Sequence, residues 1–165
     1  MNSKVLFFIV IVDAATLFRF GEIHKIIKKD KFKIDDRLFS VVEGDDLIGM
    51  SKTIGLSIIE LSNIIRKKKP DLVVAIADRY ENLSVAIAAS YMNIPVAHIQ
   101  GGETTGSIDE KVRHAITKMS DIHFVSTKRA KNFVKNMGEV GSAVFLTGCP
   151  SIDLAKIKDY SLPQN

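Results

Sequence analysis

DLVVAIADRYENLSVAIAASYMNIPVAHIQ, residues 71–100, sets two apolar runs on either side of an alanine-rich segment. DLVVAIA does not alternate apolar with polar residues, so a strand built from it is buried on both faces, as in a parallel sheet. The stretch from Glu81 to Met92 has neither glycine nor proline and reads as a helix. IPVAHIQ then returns to an apolar run. Strand, helix and strand in that order make the unit from which parallel sheets are assembled.

The same alternation extends outward. Upstream, Leu47, Met50, Ile54, Ile58, Leu61 and Ile65 recur at spacings of three and four, marking one apolar face of a helix over about residues 46–69, weakened locally by Gly49 and Gly55. Downstream come a helix over about 107–119, the strand IHFVS, a helix over about 127–137, the strand AVFLTG and a short helix after Pro150. At the front, KVLFFIVIV (4–12) reads as another strand buried on both faces. Nine residues are too few to span a bilayer, and no small-residue cleavage pattern follows them. The fold expected is α/β: a Rossmann-like parallel sheet with helices on both faces.

Composition narrows the partners. The 165 residues, 46% hydrophobic and 25% charged, suit one globular domain. A single cysteine, Cys149, excludes an internal disulfide and a multi-cysteine metal site, and the expected location is a reducing cytoplasm. The net charge of +4 is modest, and the one basic run, Arg66 to Lys69, falls where a helix end welcomes cations. It lacks the aromatic residues of a nucleic-acid surface. Neither nucleic acid nor membrane is expected as a partner; a small anionic ligand suits mild basicity better.

In an open parallel sheet, ligands bind beyond the carboxyl ends of the strands. Asp78, Arg79, Gln100, Gly101, Gly102, Glu103, Ser126, Thr127 and Gly148 all fall at such ends. Glycines let backbone approach a ligand closely, helix N-termini accept anions, and Arg113 and His114 follow about one turn into the next helix. Structural roles compete for several of these residues. Ser107 and Glu110 have the S-x-x-E spacing of a capping box, Asp109 suits the positive end of a helix dipole, and Asp78 with Glu81 has D-x-x-E spacing that makes Asp78 a candidate N-cap. His24 and His123 read as structural or solvated, and Cys149, with no histidine near it in sequence, as a small apolar side chain.

The ordered phrases DRYE (78–81), HIQGGE (98–103), SIDEKVRHAITK (107–118) and TGCPSID (147–153), with GMSKTIGL (49–56) and KPDLVV (69–74), closely resemble the hydrolysing UDP-N-acetylglucosamine 2-epimerases of sialic acid biosynthesis. The resemblance covers most of residues 45–155. It implies the N-terminal half of a GT-B-like two-domain fold, with a UDP-sugar bound between the halves. On this reading residues 1–155 form the Rossmann-like N-terminal domain, and residues 156–165 a linker or frayed tail. The family's G-T-R-A-D-Y-like turn has no counterpart here, so its first strand and turn are expected to be missing. Residues 4–12 then stand for either the first or the second family strand. The H-V-E-A-G phrase of non-hydrolysing relatives is absent.

The resemblance also implies the chemistry. The C2 proton is removed and UDP leaves to give a glycal-like intermediate, to which water adds, releasing N-acetylmannosamine for sialic or related nonulosonic acid synthesis. No cofactor or metal is implied. Carboxylates must serve as base and acid; the matched motifs assign these roles to Asp78 and Asp109, with Glu110 next. Substrate contacts fall to Arg79, Gln100, Gly101, Gly102, Glu103, Arg113 and His114. Several family members carry Glu where Gln100 stands; Gln cannot transfer a proton and is expected to bind the sugar. The implied partner is a missing C-terminal domain or a homo-oligomeric copy, and the chain alone is expected to be inactive. The competing expectation is a non-catalytic α/β module that binds a sugar nucleotide or a protein.

Overall fold

A computed structural model describes residues 5–12, 23–42 and 47–157. The elements run β1 (Val10–Val12), α1 (Ile23–Lys29), β2 (Asp36–Leu38), α2 (Leu47–Lys68), β3 (Val73–Ile76), α3 (Tyr80–Tyr91), β4 (Val96–Ile99), α4 (Ile108–Lys118), β5 (Ile122–Val125), α5 (Lys128–Asn136), β6 (Val144–Leu146) and α6 (Pro150–Ile157). From residue 47 onward each element falls where the periodicity predicts it. α6 continues through Lys156 and Ile157, the first residues of the stretch read as a linker; residues 158–165 lie outside the described residues.

β3, β4, β5 and β6 form a parallel sheet in that order, and β1 pairs with β2 in a second parallel ladder. This is the expected Rossmann-like α/β architecture. Side chains paired across a parallel ladder share a face, so Ala75 goes with His98, and His98 with His123. Ala75, Val96, His98, His123, Val125 and Val144 are all buried on that face. α3 and α4 supply Val85, Ala86, Ala89, Val112 and Ile116 to the core around Ala75 and Val96, while α5 packs Ala130 and Val134 on Val125 and Val144. On the opposite face Val74, Ile76 and Phe145 stay about half exposed, at 49%, 55% and 46%. There Phe145 stacks on Phe124 at 5.7 Å.

α2 buries Gly49, Thr53, Ser57, Leu61 and Ile65 on one stripe. By length and composition it is also long and apolar enough to cross a membrane. Its buried stripe packs against α3 and toward Leu38 of β2.

The front departs from expectation. Among the described residues 5–12 of this run only Val10–Val12 is ladder-paired, and Val5, Leu6 and Phe7 are 74%, 78% and 82% exposed rather than buried on both faces. The reason is pairing: β1 has β2 as its ladder neighbour, with Val10 opposite Asp36, and residues 5–9 lie beyond the short β2. β1 and β3 belong to separate ladders, and a cavity of about 240 Å³ lies between Ile9–Val12, Ile23 and Ile27 on one side and Arg79, Glu81 and Asn82 on the other. Residues 5–12 therefore do not close the sheet against β3.

Candidate functional site

The carboxyl ends of β3 and β4 meet the start of α4 around one buried cation. Arg113, 5% exposed, donates through Nη2 to the Asp78 carboxylate and through Nη1 to the Glu103 carbonyl at 2.8 Å. One α4 guanidinium thus gathers the end of β3 and the loop after β4. The Asp78 side chain keeps 22% of its surface accessible, so the pair is reachable from solvent. Asp78 is not the cap its spacing allows: the N-cap of α3 is Arg79, with no side-chain capping bond. Arg79 instead forks onto Glu81, at 3.2 and 3.0 Å. That bonding raises the guanidinium pKa, with smaller contributions from nearby Tyr80 and Asp109. Arg79 and Asp109 therefore lie within electrostatic reach of one another.

The α4 cap is real but offset from the capping box. Ser107 Oγ accepts the Asp109 N–H at 3.2 Å, and the Glu110 carboxylate reaches back past Ser107 to the N–H groups of Gly106 and Thr105, at 2.6 and 2.7 Å. These two bonds, Gly106's first, hold Glu110 below the usual carboxylate range. Glu110 is thereby committed to the loop. Thr127, predicted only to lie at a strand end, is the N-cap of α5 and accepts from Ala130 N–H at 3.0 Å.

The glycine pair has a packing reason of its own. A Cβ on Gly101 would sit 2.9 Å from both His98 Nδ1 and Thr117 Oγ1; one on Gly102, whose φ is +80°, would sit 2.6 Å from the Ala130 carbonyl. The close approach these residues permit is to the protein itself. Gln100 takes a left-handed φ of 65° and donates to Cys149 Sγ at 3.3 Å. That half-buried thiol has its pKa lowered, first by the Ile152 N–H. His114 stacks on Phe133 at 4.9 Å, and its Nε2, Arg113 Nε and Ser126 Oγ are buried atoms with no hydrogen-bond partner.

Sequence reasoning passed over one residue beneath this edge. His98 is fully buried, with Nε2 on the Ala77 carbonyl at 2.9 Å and Nδ1 on Thr117 Oγ1 at 3.1 Å. Burial pushes its pKa down to about 4. A histidine inside an otherwise apolar strand was the available signal. His123 is buried beside it, its Nε2 3.4 Å from the Glu139 carboxylate, in the structural role that was one of the two read for it. Among the described residues no three His, Cys, Asp or Glu side chains cluster to hold a metal ion. A hollow of about 530 Å³ lies elsewhere, among Lys28, Phe32, Arg37 and Phe39, away from the carboxyl edge.

Residues 16–164 match the family model described as UDP-N-acetylglucosamine 2-epimerase. The chain belongs to this family. Among relatives, it is 40% identical over 161 residues to the GDP/UDP-N,N'-diacetylbacillosamine 2-epimerase (hydrolyzing) of Campylobacter jejuni, covering 96% of this chain and 42% of that protein. It is 38% identical over 134 residues to the UDP-N,N'-diacetylbacillosamine 2-epimerase (hydrolyzing) of Legionella pneumophila, covering 81% and 36%. The solved Neisseria meningitidis UDP-GlcNAc 2-epimerase bound to UDP-GlcNAc matches with a TM-score of 0.71 at 24% identity, over 82% of this chain and 38% of that one, a likeness of fold. The chain spans about two fifths of the length of these relatives and corresponds to their N-terminal part.

Proposed function

We propose that the chain is the N-terminal, Rossmann-like half of a hydrolysing UDP-sugar 2-epimerase, with residues 1–155 as the domain and its ligand site on the carboxyl edge of β3 and β4. The observation that carries the reading is the Asp78–Arg113–Glu103 junction, a solvent-reachable carboxylate held by a buried cation one turn past Asp109. Asp78 and Asp109 are the carboxylates that move protons at C2. Glu110, committed to the loop, stands behind them. Arg79 and His114 face the diphosphate, and Gln100, Gly101, Gly102 and Glu103 shape the sugar side.

The sugar is a UDP-linked 2-acetamido sugar. UDP-N-acetylglucosamine, giving N-acetylmannosamine and UDP for sialic or related acids, is one substrate of this class. The names of the relatives at 38% and 40% identity favour N,N'-diacetylbacillosamine as the other. Water adds across the glycal-like intermediate, placing hydroxyl at C1 and a proton on C2, and UDP departs with the C1–O bond pair. The partner is a C-terminal domain that completes the nucleotide grip, since the matched relatives are more than twice as long.

The test is UDP release from each sugar nucleotide, by this chain alone and in a fusion to the C-terminal remainder of the Campylobacter jejuni relative. Release by the fusion and not by the chain alone is expected. Robust turnover by the chain alone refutes the half-enzyme reading; a folded fusion that binds a sugar nucleotide without releasing UDP supports a non-catalytic module instead.

A further inference from the structure

We propose that His98 is a positioning residue for Asp78, acting as a tether that clamps the backbone corner from which Asp78 projects. The proposal rests on the reading above, which gives Asp78 its proton-transfer role, and adds to it a residue with no place on the site's surface. The corner is Ala77, which takes a left-handed φ of 60°. That conformation crowds the Cβ of any residue but glycine and persists only where the surroundings hold it. β4 holds it from both sides. The Ala77 N–H donates to the Ile99 carbonyl at 2.9 Å, and the Ala77 carbonyl meets His98 Nε2 at 2.9 Å. Two successive β4 residues thus grip the peptide groups immediately before Asp78.

The proton positions follow from the partners. A carbonyl only accepts, so Nε2 carries the proton. Burial keeps the ring neutral, and Nδ1 is left as the acceptor for Thr117. The Thr117 hydroxyl has one proton, shared between two acceptors, Nδ1 at 3.1 Å and the Arg113 carbonyl at 3.0 Å. Thr117 lies one turn after Arg113, so the ring ties β3, β4 and α4 together behind the Asp78–Arg113 pair. Gly101 leaves the room this arrangement needs, because a Cβ there would sit 2.9 Å from both partners.

The experiment is imidazole-nitrogen and arginine side-chain NMR on the 165-residue chain and its variants. In the wild type the His98 proton is expected on Nε2 and the Arg113 guanidinium signals resolved, as for a cation locked in an ion pair. His98→Gln keeps a donor at the Nε2 position and should retain the Arg113 signature. His98→Asn keeps only a group near Nδ1 and should lose it while remaining folded. A merely space-filling histidine would not separate these two variants. A proton on Nδ1 in the wild type overturns the proposal, as does a folded His98→Asn chain with Arg113 unchanged or a folded His98→Gln chain that loses it. If neither variant folds, Thr117→Val decides: with the Ala77 tether intact the pair should survive, and its loss would assign the positioning to α4 instead. No readout involves turnover or nucleotide, so failure of the epimerase reading leaves this result standing on its own.

Discussion

Acidification is expected to destabilise this fold mainly through His98. Its pKa falls from the ordinary 6.5 to about 4 on folding because burial penalises the imidazolium, with the charges of His123 and Arg113 adding to the effect and the Ala77 carbonyl and Asp78 opposing it. The unfolded chain therefore binds a proton below pH 6.5 that the folded chain refuses until about pH 4. Stability is fully present above pH 6.5 and falls by about 1.4 kcal/mol per pH unit between those values. The loss from this one group reaches about 2 kcal/mol at pH 5 and about 3 kcal/mol by pH 4. His123 shifts in the same direction, also by burial. Asp35 and Glu110, whose pKa values are lowered by hydrogen bonds, begin to give up their contributions only as pH falls past the ordinary values of 3.8 and 4.5, below the pH 7 to 5 range in which His98 is tested. Urea unfolding followed by circular dichroism at pH 7, 6 and 5, for the wild type and His98→Gln, isolates the term. At pH 7 the variant should be the less stable protein, because it loses packing. By pH 5 the gap should have closed by about 2 kcal/mol. A gap that stays constant over the two units would show that His98 is not a desolvated neutral imidazole.

The glycines form a graded series: Gly106→Ala has open space and only a φ of +74° to overcome, and should cost about 1 kcal/mol. Gly101→Ala meets His98 and Thr117 and should cost about 1–3 kcal/mol, and Gly102→Ala, strained and against backbone, the most; thermal melts that reverse this order would refute the packing argument. At the α4 N-terminus, Ser107→Ala should lose about 1 kcal/mol in urea melts, while Asp109→Asn in the fusion enzyme should melt almost normally and cut turnover by roughly a hundredfold or more. Unchanged turnover in Asp109→Asn removes it from the chemistry. The half-exposed face of Val74, Ile76 and Phe145, with Phe7 at the front, should make the isolated chain associate and bind a hydrophobic dye. Ile76→Lys should weaken both effects in light scattering and dye fluorescence; a concentration-independent monomer that binds no dye would count against an open interface.

The parts read correctly from the sequence share a local origin. β3, α3, β4, α4, β5, α5 and β6 each announce themselves by unbroken apolar runs or a period near 3.6 residues, signals that need no knowledge of distant contacts. β2 gave no such signal, since its three residues, Asp36, Arg37 and Leu38, include two charges and hold their place by pairing with β1. The burial of residues 4–12 was misjudged for a related reason. An apolar run shows what a segment prefers, whereas the number of ladder neighbours decides what it gets.

At the site, the sequence by itself determined which residues reach the carboxyl edge, because strand ends and helix starts fix that, and the ordered motifs marked them as epimerase residues. It could not choose among roles that share a spacing. Asp78 and Glu81 stand three positions apart, as do Ser107 and Glu110, so both looked like caps. Only the tertiary structure turned Asp78 to Arg113, 35 positions away, and Glu110 back to the loop at Thr105 and Gly106. It alone sank His98 under the Ala77 corner, where burial, rather than the identity of its neighbours in the chain, governs its charge.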